Sequence, residues 1–128
     1  MKAYTDLEQS KKLSEILPIE STDMEYMFLK KDGSKVSNVP FVKDGFEEPE
    51  SCYIFIPCWS LAALRNCLPS GICIDDILYV FESHNTFDNM WVYEYKFEDI
   101  SAPLYSKSSN EIDACVEMII KLNEQKLI

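Results

Sequence analysis

Glycine is scarce in this chain, with only Gly33, Gly45 and Gly71, and that scarcity removes a class of chemistry. Loops that cradle phosphates or dinucleotides need closely spaced glycines so that the backbone can approach the ligand. Three glycines this far apart cannot supply one. Histidine is scarcer still, with His84 the single imidazole. A structural zinc site wants four nitrogen or sulfur ligands at recurrent short spacings, and Cys52, Cys58, Cys67, Cys73 and Cys115 contain no Cys-x-x-Cys pair. No cofactor and no metal are expected.

Cations are outnumbered, with 12 Lys and Arg against 22 Asp and Glu and a net charge of −10. A field of that sign repels phosphate backbones and anionic membrane surfaces, so direct nucleic-acid binding is not expected. The charge has two readings: solubility, or an acidic surface that mimics DNA toward a basic partner. No apolar run approaches the roughly 18 residues that cross a bilayer. Met1-Lys2-Ala3-Tyr4 runs into a polar helix rather than an apolar signal core. Those features together predict a cytoplasmic protein with reduced thiols.

What is present describes a globular unit. A hydrophobic content of 47% over 128 residues suits one core and one domain spanning 1–128. Thr5-Asp6-Leu7-Glu8 fits a capping box, predicting a helix from Thr5 to Leu17 that Pro18 stops. Met24 to Lys30 reads as a strand, and Lys31-Asp32-Gly33-Ser34 as a turn into a return strand from Lys35 to Val42. Lys43-Asp44-Gly45 is a second turn signal. Phe46 to Ser51, with Glu47, Glu48 and Glu50, reads as an exposed acidic loop, and Tyr53 to Ile56 as a short strand.

Leu61, Leu64 and Leu68 recur at helical spacing before Pro69. Ile72–Ile74 and Ile77–Glu82 are strand-like runs interrupted by Asp75-Asp76, a pair that argues for a bulge, a turn or an edge. Residues Ser83 to Asn89 suit a hairpin loop. Met90 to Phe97 then alternates, with Trp91, Tyr93, Tyr95 and Phe97 on one face and Met90, Val92, Glu94 and Lys96 on the other. Asp99 to Ser109, holding Pro103 and several serines, reads as a loop. A last helix starts near Asn110, runs to about Lys126, and buries Ile112, Cys115, Val116, Ile119 and Leu122.

Chemistry can be argued at one place only. Cys58-Trp59 precedes a helix, as the nucleophile of a cysteine hydrolase does, with His84 as a base and Asn85 or Asn89 as an orienting group. The competing reading is structural. With Ser60 as N-cap, Trp59 and Leu64 occupy the two positions of a hydrophobic staple and Cys58 falls outside the helix. Asp75-Asp76 offers oxygen ligands for a hard cation, yet adjacent strand residues point to opposite faces. The aromatic row on 91–97 could stack bases, but its neighbours Glu94, Glu98 and Asp99 are acidic, and core packing explains it better. No catalytic residue is assigned.

Tyr4 to Leu13 through Leu17-Pro18, Ile56 to Leu64, and Ile112-Asp113-Ala114-Cys115 through Lys121-Leu122 together resemble a group of small proteins from gut anaerobes of the Bacteroides type and their phages or prophage-like regions. The resemblance implies a mobile-element setting and brings no catalytic residues. The expected fold is α+β: one antiparallel sheet of about four to five strands, covered on one face by about three helices. The expected function is non-enzymatic binding to a macromolecular partner, most simply a protein. A hydrolase centred on Cys58 and an acidic DNA mimic are the alternatives.

Overall fold

The computed structural model describes residues 2–43 and 52–128, and of residues 101–103 it describes the backbone alone. The acidic loop expected at Phe46 to Ser51, and most of the turn before it, lie outside the described residues. The elements are α1 (Leu7–Ser14), a 3-10 turn (Ile19–Ser21), β1 (Met24–Leu29), β2 (Phe41–Val42), β3 (Tyr53–Cys58), α2 (Leu61–Asn66), β4 (Gly71–Ile74), β5 (Ile77–Asn85), β6 (Trp91–Phe97), β7 (Ile100–Ser108) and α3 (Glu111–Glu124). The fold is α+β with antiparallel strands and three helices, and the strands divide into two sheets. One has the order β2-β1-β3 and the other β4-β5-β6-β7.

The core forms where α3 meets the four-stranded sheet. Ile112, Cys115, Ile119 and Leu122 are fully buried as their spacing requires, and Ala114, Val116 and Met118 are buried with them. At about 100° per residue these seven positions cover roughly 200° of the helix. An arc that wide exceeds one amphipathic stripe, because α3 packs on β6 and β7 and also on α2 and α1. Tyr93 and Tyr95 lie under it with no exposed surface, and Phe81 stacks against both rings, 5.3 and 5.5 Å away. Each such ring contributes on the order of 1.5–3 kcal/mol by leaving water. Phe97, expected in the same row, is instead 42% exposed where the strand leaves the helices.

Four expectations need correction, each for a local reason. The capping box lies one residue later than Thr5: the Asp6 carboxylate accepts from the Gln9 backbone amide and the Gln9 side-chain oxygen Oε1 accepts from the Asp6 backbone amide. Thr5 is unavailable because its hydroxyl is buried against Ser10 and Trp59. The return strand at Lys35–Val42 shrinks to Phe41–Val42 plus a lone bridge from Lys35 to Phe28. Pro40 has no amide to lend to a ladder there.

The loop expected at Asp99 to Ser109 is mostly strand β7. Its register jumps between Glu94↔Tyr105 and Lys96↔Ser101, and an edge strand with such a bulge accommodates Pro103. Its serines also serve the packing, since the Ser106 hydroxyl is buried and donates to the Ala114 carbonyl of α3. Finally, the hairpin loop expected from Ser83 is shorter. Strand β5 continues through His84 and Asn85, and Thr86 closes the turn by hydrogen bonds with Met90.

Asp75 and Asp76 form the two-residue turn between Ile74 and Ile77, which pair across β4 and β5. Both have positive φ, +52° and +65°. That is the backbone of a type I′ turn, whose right-handed twist matches the strands and whose second position favours glycine. Replacing Asp76 with Gly removes a left-handed side-chain penalty. Asp76→Gly is expected to raise stability by about 0.5–1 kcal/mol, read from the urea midpoint.

Candidate functional site

Strand β3 ends at Cys58, opposite Met24 of β1, and Ser60 caps α2 two residues later by accepting from the Ala63 amide. The cap is held from outside the helix. Asp23 accepts the Ser60 amide at 2.9 Å through one carboxylate oxygen and the Ser60 hydroxyl through the other. Trp59 is fully buried with Leu64 in the same cluster, as a staple requires, and its indole N–H donates to the Ser21 hydroxyl at 2.9 Å. The amides and polar side chains of Trp59 and Ser60 therefore all have structural partners.

The Cys58 thiol lies inside a buried polar knot. The Thr5 amide donates to the Trp59 carbonyl at 2.9 Å, and the Trp59 amide donates to the Thr5 hydroxyl at 3.2 Å. Thr5 and Ser10 hydroxyls are 2.7 Å apart, and the Tyr26 phenol donates to the Thr5 carbonyl at 2.7 Å. Cys58 Sγ sits 3.4 Å from the Thr5 hydroxyl and 3.4 Å from the Thr5 carbonyl, with no exposed surface. Burial pushes the thiol pKa up, against the smaller opposing effect of the Thr5 and Ser10 hydroxyls. A nucleophilic cysteine needs the opposite shift.

His84 stands elsewhere. It is exposed on β5, opposite Val92 of β6, in the other sheet from Cys58. Asn85 follows it on the strand and Asn89 lies in the turn beyond. The structure thus brings Cys58 together with Thr5, Ser10 and Tyr26, and leaves the imidazole outside that group. Among the described residues, no three His, Cys, Asp or Glu side chains are placed to hold a metal ion.

Two further polar features were not legible in the sequence. Arg65 of α2 donates to Glu111 at 2.7 Å and to the Ser83 hydroxyl at 3.2 Å, with its guanidinium 5.6 Å from the Tyr93 ring centre. Tyr93 in turn donates to Glu111 at 2.8 Å. This cluster ties α2, α3 and the sheet together with all its groups satisfied. An open groove of about 440 Å³ runs between the 3-10 turn and α2, lined by Glu20, Ser21, Thr22, Asp23, Asn66 and Cys67 among others. Its central carboxylate, Asp23, is already engaged by Ser60.

The remaining candidate is a surface. Among the described residues, the main helix packing on the four-stranded sheet is that of α3 on β6 and β7. The opposite face holds Cys73, Leu78, Val80, Glu82, His84, Val92, Glu94, Lys96, Tyr105 and Lys107, the strand positions that alternate with Tyr79, Phe81, Tyr93, Tyr95 and Ser106, and of these Val92 and Glu94 on β6 are buried. Leu78, Val80 and Tyr105 are 56%, 52% and 44% exposed. A signal for this existed in Ile77-Leu78-Tyr79-Val80-Phe81, where both alternating sets are apolar. That pattern marks a strand apolar on both faces and leaves open whether both are covered.

No protein-family model, curated protein or solved structure matches this chain.

Two outcomes test the thiol assignments. Iodoacetamide is expected to label exposed Cys52 and Cys73 in the native protein while Cys58 and Cys115 react only on unfolding, as read by peptide mass spectrometry. Cys115 also sets a pH dependence. Burial raises its pKa from about 9 to about 12, so the unfolded chain loses this proton first as pH rises. Its contribution to stability is complete below pH 9 and declines as pH climbs toward 12. Cys115→Ala should flatten that part of the urea-stability profile, whatever it costs in packing at neutral pH.

Proposed function

We propose that this domain is a non-enzymatic binding module that engages a protein partner through the face of its four-stranded sheet turned away from α3. The observation that carries the reading is the exposure of Leu78 and Val80 on β5 and of Tyr105 on β7, on the sheet face turned away from α3. Single exposed apolar residues are ordinary, whereas several on one sheet face mark an interaction surface. Charged residues of the same face lie between the two apolar groups, with Glu82 next along β5 and Lys96 on β6.

The alternatives draw less support. A cysteine hydrolase needs an accessible thiolate, and the Cys58 thiol is buried with a raised pKa. A DNA mimic needs massed carboxylates, and this face mixes Glu82 and Glu94 with Lys96, which lies 3.8 and 3.5 Å from them. The resemblance of the helical segments to phage and prophage proteins supports a mobile-element setting for the domain itself. Five free cysteines suit a reducing, cytoplasmic compartment. No helix of the described residues is long and apolar enough to cross a membrane.

Affinity capture from the source cell with the wild-type chain and with Leu78→Glu tests the reading. A protein partner retained by the wild type should be reduced at least tenfold on the variant, whose fold is checked by circular dichroism. Equal retention by both proteins would remove the role of this face. A reaction abolished by Cys58→Ala would instead restore the hydrolase.

A further inference from the structure

We infer that α1, with the residues that lead into it from Lys2, is a lid over Cys58 that opens as a unit while α3 and the four-stranded sheet stay folded. The inference is independent of the binding reading above. It begins with what surrounds the thiol. Tyr26 pairs with Ile56 across β1 and β3, and Cys58 lies two residues further along β3, so the three share one face of that strand pair. Thr5 and Ser10 lie over this face. The Thr5 hydroxyl and carbonyl are each 3.4 Å from the Cys58 sulfur, and the Ser10 hydroxyl is 2.7 Å from that of Thr5. The Tyr4 ring meets the Tyr26 ring edge-on, with centres 6.5 Å apart. Lifting residues 2–14 from this face therefore uncovers the thiol.

Two kinds of attachment hold the lid. One is burial, and it is slight, since α1 buries Ser10 and Leu13 whereas α3 buries seven residues. The other is polar. Asp113, in the first turn of α3, accepts from the Lys2 ammonium at 2.7 Å and from the Gln9 side-chain amide at 2.8 Å through the same carboxylate oxygen. Lys2 also pairs with Asp6, the N-cap of α1, at 3.1 Å. A half-exposed carboxylate thus links lid and body, and such contacts hold weakly.

The bonds from Thr5 to Trp59 and Tyr26 close the lid at its leading end. Their remaining halves, the Trp59 amide and carbonyl and the Tyr26 phenol, face the space that the lid vacates. Water takes the place of Thr5 there, so opening leaves no buried polar group unpaired. Segments that bury little and are held by exposed polar contacts open locally at less cost than global unfolding. With eight residues, α1 is too short to persist alone in water, so lifting and melting coincide.

Cys115 supplies the internal reference, because it is as fully buried as Cys58 but lies on α3, in the part that stays folded. The test is iodoacetamide labelling of the full chain across urea concentrations below the unfolding midpoint. Peptide mass spectrometry reads each thiol's rate, which is divided by its rate in the unfolded chain. Without urea both thiols stay protected over a brief exposure. As urea rises, Cys58 is expected to react first, protected at least about tenfold less than Cys115. Lys2→Ala removes one arm of the catch and leaves α3 untouched; it should speed Cys58 about threefold, the effect of an exposed ion pair, with Cys115 unchanged. Hydrogen exchange gives a second reading. The Trp59 amide, which donates to Thr5, should exchange together with the α1 amides and ahead of those of α3. Equal protection of Cys58 and Cys115 at every urea concentration, or a Lys2→Ala effect shared by both, means that the chain opens only as a whole and overturns the inference. Cys58 labelled while the α1 amides stay protected overturns it as well, since the thiol is then reached by another route.

Discussion

The two-sided burial of α3 is the constraint on which the arrangement depends. A helix whose apolar arc spans about 200° cannot be satisfied by one sheet face, so it needs cover from both sides. The four-stranded sheet covers one side through Tyr93, Tyr95 and Leu104, and α1 and α2 cover the other through Leu13, Ala63 and Leu64. With α3 packed on that side of the sheet, parts of its other face stay exposed among the described residues. The exposed Leu78, Val80 and Tyr105 thus follow from how the helical mass is distributed.

The second sheet reaches this core through the knot around Thr5. Strand β3 runs into α2 with only Trp59 and Ser60 between, and the N-terminal segment is fastened to that junction by two backbone-directed hydrogen bonds between Thr5 and Trp59. Asp23 and Ser21 hold the same junction from the 3-10 turn and the start of β1. Buried polar groups are tolerable only when satisfied, and this knot satisfies hydroxyls, amides and the indole at once. The Cys58 thiol is enclosed by that satisfaction. Its burial is a consequence of joining α1, β3 and α2, and it explains why a cysteine beside a tryptophan at a helix start carries no sign of activation.

Much of this was legible from local pattern. Ser60 and Asn110 cap their helices as read, Trp59 and Leu64 are buried together, and the α3 stripe at Ile112, Cys115, Val116, Ile119 and Leu122 is core. These depend on interactions within a few residues or on a period that one buried side imposes. What misled were residues whose local preference a distant partner outweighed. Thr5 had the form of a cap but is claimed by Trp59, 54 positions away. Pro103 and the serines before α3 read as loop, yet an edge strand with a bulge accepts the proline and Ser106 finds Ala114.

The sequence by itself determined the α+β class, the starts of α2 and α3, the main apolar faces and the absence of any phosphate-loop pattern, because capping, periodicity and composition act over short range. Only the tertiary structure decided that the strands split into two sheets, that Cys58 and His84 stand in different ones, and that Leu78 and Val80 of β5 are left exposed. The reason is physical: a strand apolar on both sides specifies two contacts without naming either. Which of them the chain fills for itself depends on where its helices pack, and that is a property of the whole fold.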